Sequence, residues 1–296
     1  MQDVVIIGGS FAGLSAALQL GRARRKVIVL DTMTPRNRFA AHAHGVLGHD
    51  GKPPHRILGE AIAQMRPYGT VRFIQARAET VSGGKDDFRV TTADGETIAT
   101  RRVFLSHGVT DIMPDIEGFA ECWGQSVLHC PYCHGFEVAD RRLGVLYFSP
   151  LSQHVAAMLG DWTGDLAVFA DGHEIAPDFR ETLRRKGIGL IEPKVVRLMH
   201  QDGRLAAVGL ADGSEVGLDA LFAGPRQRPS ADFHRQLGLA MDEGPLGAVI
   251  RVDDSYETSV PGIYAAGDVA SMKQSVPLAM AHGNVAGVFC HHSLLD

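Results

Sequence analysis

Cysteine is scarce in this chain: Cys122, Cys130, Cys133 and Cys290 are the only four among 296 residues. So few thiols cannot build a disulfide scaffold and suit a reducing compartment, so a cytoplasmic location is expected. No apolar run approaches the roughly 18 residues that span a bilayer, so no membrane helix is expected. The opening "MQDVVIIGGS" puts a strand-like run at once and leaves no room for a secretory or transit peptide. Positive charge is not in excess either. With a formal charge of -5 and 21% charged residues, nothing attracts nucleic acid or an anionic membrane. Low-complexity stretches and short-period repeats are missing, and a hydrophobic content of 45% describes an ordinary soluble globular protein.

What is present has a plan. "VVIIGG" (4–9) is a β-branched run, "FAGLSAALQLGRAR" (11–24) has helical apolar spacing, and "KVIVLD" (26–31) is a second buried strand. Strand, helix and strand make a βαβ unit, the building block of parallel sheets. A polar connection rich in glycine and histidine follows at 34–52, longer than a simple link, and loops of that length are usually functional. A helix is expected at 56–66, then antiparallel strands at 88–95 and 97–106 around the Asp94-Gly95 turn signal. Residues 107–118 carry Gly, Pro and Asp without a period and read as a domain crossing. A second βαβ pattern occupies 142–149, 150–162 and 166–172, strands and hairpins run on to 229, and a closing helix is expected at about 278–295. At this length two domains are expected. The fold class is therefore α/β with two Rossmann-like units.

Gly8-Gly9-Ser10-Phe11-Ala12-Gly13 falls between a strand and a helix, where backbone N–H groups can receive a pyrophosphate. Gly8 supplies the tight turn and Gly13 close helix–strand packing; Ser10 stands where the fingerprint has its middle glycine. Asp31 ends the next strand, placed to accept ribose hydroxyls. Arg36, Asn37 and Arg38 follow and are candidates for the adenosine end of a dinucleotide, against the plain alternative of a solvated turn.

"HCPYCHGF" (129–136) holds the one C-x-x-C. A structural zinc would need two more ligands, and although no second C-x-x-C exists, fourteen histidines keep that reading open. An inert buried pair does not need this spacing. C-x-x-C lowers a thiol pKa and closes readily into a disulfide, so redox use fits best. Cys122 and Cys290 read as small packed hydrophobes, and His282 as a packed helical histidine with a second catalytic base as the alternative.

"PGIYAAGDVA" (261–270), running into Gly267-Asp268, resembles the second FAD signature of flavoprotein disulfide oxidoreductases, where the aspartate meets the ribityl chain or adjoining phosphate. With the C-x-x-C, the whole chain resembles the low-molecular-weight thioredoxin reductase family. That resemblance implies FAD as cofactor, a homodimer, and an FAD domain (1–110 and 247–296) interrupted by a pyridine-nucleotide-type domain (115–243) that bears the cysteines. It also implies that Cys133 faces the flavin while Cys130 is the outer sulfur, that His44 lies on the flavin-contacting loop, that the Ala78 backbone meets adenine, and that Gln274, Ser275 and Val276 lay a helix N-terminus against the flavin.

Two departures refine this. Thioredoxin reductases carry aspartate after the second cysteine; here it is His134, which titrates near neutrality and can take protons from incoming thiols, though a solvent-facing histidine would look the same in sequence. The second is "FSPLSQHV" (148–155), which lacks the glycines that would cradle NADPH; Pro150 removes a donor, and Asp171 would repel a 2′-phosphate. "CPYCHG" is similar to the C-P-x-C-H motif of the gliotoxin- and holomycin-forming dithiol oxidases. The resulting expectation is an FAD-dependent oxidase that closes a disulfide in a small-molecule dithiol, with molecular oxygen as acceptor. The alternatives are a disulfide reductase fed by NAD(P)H or another donor, and a redox sensor that binds dithiols without turnover.

Overall fold

Two parallel sheets share the chain, and the computed structural model describes residues 1–295 of it. The first sheet runs in the order Val71–Gln75, Val27–Asp31, Gln2–Ile7, Thr97–Leu105, Asp87–Thr92, Ala78–Gly84, and the late strand Ile263–Ala265 also pairs with Thr97–Leu105. The strand Thr97–Leu105 lies parallel to both Gln2–Ile7 and Ile263–Ala265, so Phe104 sits between Ile6 and Tyr264. Both ends of the chain thus build one sheet. Asp87–Thr92 and Ala78–Gly84 add an antiparallel meander to its edge, with Gly95 at φ +88° in the turn between Thr92 and Thr97.

The run "VVII" is apolar on both sides because both faces are covered. Val4 and Ile6 point into a core closed by the helices Phe11–Arg22, Pro54–Met65 and Val276–His292. Val5 and Ile7 point into a second core with Phe88, Val90, Phe233, Leu239 and Ile250. Phe233 and Leu239 show that the chain has rejoined the first unit before residue 247, the position expected from sequence. The Val276–His292 helix rests directly on the first helix. A Cβ on Gly283 would overlap the Ala12 carbonyl, and one on Gly287 would lie 2.9 Å from the Ala16 Cα, so only glycine permits this approach. Past its far end, Ser293 is held by the buried Arg102, whose Nε donates to the Ser293 hydroxyl at 2.9 Å.

The second sheet is wholly parallel, in the order Gly189–Ile191, Leu166–Phe169, Leu143–Leu146, Ala220–Phe222, Val127–Leu128. Helices Leu151–Leu159 and Pro177–Lys186 cover one face, and a three-stranded antiparallel sheet covers the other. Both nucleotide-type patterns therefore fold as strand, helix and strand, with element ends shifted by a few residues from the apolar runs. The units are joined by a two-stranded ribbon, Val109–Asp111 against Gln227–Pro229.

Candidate active site

The glycine-rich turn is tightly specified. Gly8 adopts φ +103°, and a Cβ there would lie 2.5 Å from the Ser106 carbonyl carbon and 2.7 Å from the His107 nitrogen. Ser106 donates from its hydroxyl to the Gly8 carbonyl at 2.7 Å and so fixes the turn. A Cβ on Gly13 would fall on that same carbonyl. The turn leads into the Phe11–Arg22 helix with Ser10 at its cap position, yet the Ser10 side chain caps no amide. The first-turn N–H groups are thus left facing outward, a ready anion cradle. Asp31 lies at its mouth and accepts from the Gly9 amide at 2.5 Å and the Met33 amide at 2.6 Å. Ala78 opens the strand Ala78–Gly84 and is buried next to this end of the sheet.

The second signature comes to the same place. A Cβ on Gly267 would sit 2.9 Å from the Ala12 side chain, so Gly267-Asp268 lies against the start of the first helix. Ser275 caps the Val276–His292 helix, its hydroxyl accepting from the Leu278 amide at 3.3 Å. Burial raises the Asp268 carboxyl above its ordinary value, opposed by the Arg36 guanidinium. An uncapped helix N-terminus at the glycine turn, and a buried acid beside a capped helix N-terminus at the second signature, fit FAD.

Arg36 departs from expectation. Instead of reaching toward the adenosine end, its guanidinium turns inward to the hinge ribbon and the second signature. It donates to both Asp111 oxygens, to Asp268 Oδ2 at 3.1 Å and to Gln274 Oε1 at 2.5 Å. The reason is charge: three acceptors on two other segments outcompete water for five rigid donors. Arg38 does not reach that cluster, since it donates to the Pro35 carbonyl and lies over the Phe39 ring at 4.1 Å. Asn37 sits in the same short 3₁₀ turn, Arg36–Phe39.

Cys130 and Cys133 are joined in a disulfide, with Cα atoms 5.3 Å apart. Pro131 starts the short helix Pro131–His134 because it needs no N–H partner at that position, and Cys130 stands at its cap. His134 ends this helix. Burial lowers its pKa, with Glu137 working against that and His44 reinforcing it, so the imidazole is neutral and able to accept a proton. His44, from the long loop of the first unit, places its ring edge-on to His134 with centroids 6.5 Å apart, and its Nε2 is 3.5 Å from Glu137 Oε1. The loop read as too long for a connection is therefore the surface on which the redox helix rests. His282 packs on Tyr256, ring centroids 5.6 Å apart. Cys122 and Cys290 are fully buried.

Three participants escaped the sequence reading: His129, Asp111 and Glu137. Burial, and then the Arg36 charge, push His129 down to about 4. The partners of Asp111 and Glu137 lie in another unit, so no spacing reveals them. The position of His129 beside Cys130 was the one available signal.

The corresponding turn of the second unit is filled. The Phe148 amide donates to the Ser152 hydroxyl at 3.1 Å and the Leu151 amide to the Ser149 hydroxyl at 3.3 Å, with Pro150 at the cap of Leu151–Leu159. Asp171 is occupied as a loop brace, accepting from the Val195 amide at 2.8 Å.

Comparison with known proteins agrees with this architecture. The family model for pyridine nucleotide-disulphide oxidoreductases matches residues 2–157 and 165–283. Thioredoxin reductase sirT of Leptosphaeria maculans is 36% identical, the match covering 96% of this chain and 92% of that protein. The crystal structure of an oxidoreductase from Agrobacterium tumefaciens is 41% identical with a TM-score of 0.94, covering 99% of this chain and 98% of that one. The crystal structure of HlmI is 39% identical with a TM-score of 0.91, covering 100% and 93% respectively. No helix among the described residues is long and apolar enough to cross a membrane. The chain belongs to the pyridine nucleotide-disulphide oxidoreductase family and is a thioredoxin reductase-like, FAD-binding oxidoreductase acting on sulfur groups.

Proposed function

We propose that the protein oxidises a small-molecule dithiol to an intramolecular disulfide, with dioxygen as final acceptor and hydrogen peroxide as product. One observation carries the direction of electron flow. The second unit keeps the strand–turn–helix of a nucleotide site, but Ser149 and Ser152 hydroxyls satisfy the amides that a phosphate would need. With that cradle filled, electrons enter from the thiol substrate.

In this reading Gly8, Ser10, Phe11, Ala12 and Gly13 hold the pyrophosphate and Asp31 the ribose, with the Ala78 backbone near adenine. Asp268, with Gln274, Ser275 and Val276, borders the flavin. Arg36 sits behind Asp268, and Asn37 lines the same turn. A substrate thiol gives its proton to neutral His134, and the thiolate attacks Cys130 of the disulfide, with Cys133 leaving as thiolate. The second substrate thiolate attacks the substrate sulfur of this mixed disulfide and expels Cys130. The product leaves oxidised by two electrons, and the cysteine pair is reduced by two. FAD supplies the two-electron route from the reduced pair to dioxygen. Exposed Tyr132, between the two cysteines, and Phe136, just after them, favour an apolar small molecule over a charged one.

The family description favours a second reading, a disulfide reductase fed by NAD(P)H. An oxygen electrode separates them. The oxidase reading requires oxygen uptake with dithiols and no rapid bleaching by NADPH or NADH; bleaching by NADPH without dithiol-dependent uptake overturns it. A dithiol-binding sensor would show one stoichiometric thiol capture, whereas repeated cycles that disappear in Cys133→Ser mark an enzyme. The Val276–His292 helix leaves Leu278, Val285, Val288 and Phe289 exposed, which supports a homodimer through the first unit. A dimer mass by light scattering, falling to a monomer in Val288→Glu, tests that assembly.

A further inference from the structure

The redox helix and the turn after it meet the first unit at a charged cluster. On one side, His134 ends the redox helix and Glu137 lies in the 3₁₀ turn Phe136–Val138 that follows it. His44, held 3.5 Å from Glu137 by Nε2, faces them from the other side, with Asp50 Oδ1 3.8 Å from its Nδ1. Side-chain exposure is 38% at Glu137, 21% at His44 and 68% at Asp50, so the row reaches water at its Asp50 end.

We propose that Glu137 and His44 form a relay across the boundary between the two units, which positions the His134 imidazole and carries the substrate thiol proton from it to solvent. This rests on His134 acting as base in the proposed reaction. Glu137 is the anionic end: it faces both imidazoles and holds them toward one another. His44 is the moving part, because its ring can accept a proton on one nitrogen and release one from the other toward Asp50. The proton that leaves the thiol thus returns to solvent, and His134 is neutral again for the second thiol. Because His44 and His134 belong to different units, the relay is complete only when the redox helix is seated on the 34–52 loop.

The other charged groups around the cluster are accounted for. His129 lies on the near side of Cys130, where burial and the Arg36 charge lower its pKa to about 4. His42 lies 6.2 Å from His44, ring to ring, on the same loop. Neither stands between His134 and Glu137 in the row, and Glu137 is the carboxylate facing both imidazoles.

The test is an NMR titration of 13C-histidine-labelled, FAD-loaded protein, together with the pH profile of dithiol exchange at Cys130–Cys133 read by thiol alkylation. Glu137→Gln removes the anion that favours imidazolium, so the His134 midpoint should fall and exchange near neutral pH should slow about tenfold. Glu137→Asp should restore part of both. His44→Asn should leave the protein folded and slow exchange while raising the His134 midpoint, since the imidazole that works against the His134 imidazolium is lost. If the His134 midpoint and the exchange profile stay as in the parent in both Glu137→Gln and His44→Asn, the relay is overturned. Should either variant fail to fold, the other carries the same test. Oxygen uptake is a separate measurement: a parent protein that consumes none, but whose His134 midpoint moves in Glu137→Gln, sinks the oxidase reading and leaves the relay standing.

Discussion

Arg36 grips Asp111 with two parallel hydrogen bonds, Nε to Oδ2 at 2.9 Å and Nη2 to Oδ1 at 2.5 Å. Asp111 is 4% exposed and lies in the hinge ribbon between the two units. The pair therefore ties the first unit to the strand that leaves it. Removing one partner of such a pair leaves an uncompensated buried charge, so Arg36→Ala should destabilise by about 3–5 kcal/mol. Arg36→Lys should recover less than half of that, because an ammonium cannot reproduce the paired geometry. Urea denaturation of the three proteins checks both.

Gly283→Ala should push the Val276–His292 helix away from the first helix, since the new methyl meets the Ala12 carbonyl. Overpacking of this kind costs about 1–3 kcal/mol. The Gly8–Gly13 turn and Asp268 both lean on that contact, so flavin retention through gel filtration should drop along with thermal stability. Gly51→Ala is the contrast: Gly51 is also a glycine, but nothing lies near its Cβ, so any loss there reflects its positive φ alone.

Thiol labelling should divide the four cysteines into two pairs. Burial pushes the Cys290 thiol up to about 12 and raises Cys122 as well, so neither presents a thiolate near neutral pH. Dithiol-reduced native protein should take up two equivalents of iodoacetamide, at Cys130 and Cys133, and four only after denaturation. Peptide mapping by mass spectrometry reads the sites directly.

Acid should weaken the fold by way of histidines near the hinge. Burial, and then His234, push His107 down to about 4, while the same side chain in the unfolded chain titrates near 6.5. Between those values the unfolded chain binds a proton that the folded one refuses. Stability therefore falls as pH drops from about 6.5 toward 4, by up to about 1.4 kcal/mol per pH unit for one such group. His129 contributes in the same direction. His107→Leu, which keeps the packing on Phe233, should flatten the slope of unfolding free energy against pH; an unchanged slope would rule out His107 as its source.

Local pattern made much of this fold readable. "VVIIGG" and "KVIVLD" are apolar at every position because their strands are covered on both faces, and Asp94-Gly95 turns the chain as such pairs do. The cysteines at 130 and 133 are linked, as their spacing suggests. The partners of Arg36, Asp111 and Asp268, are not legible in sequence because they come from elements that only the tertiary fold brings together. Glu137 was invisible for the same reason. An acid three residues after a histidine is common on any helix surface, and only the approach of His44 gives it meaning. Phe233 and Leu239 were assigned to the wrong unit because a short apolar segment carries no mark of the core it will enter.

The strand Ile263–Ala265 completes a sheet whose other members lie within the first 105 residues. Its partner Thr97–Leu105 must wait roughly 150 residues of synthesis, which at ordinary translation rates of about 5–20 residues per second is some 8–30 seconds. Over that interval the second unit can fold by itself, while the first holds an unfilled edge at Phe104 and a helix, Phe11–Arg22, without the surface that covers it. The cofactor cradle therefore closes only after Ile263–Ala265 and the Val276–His292 helix have been made.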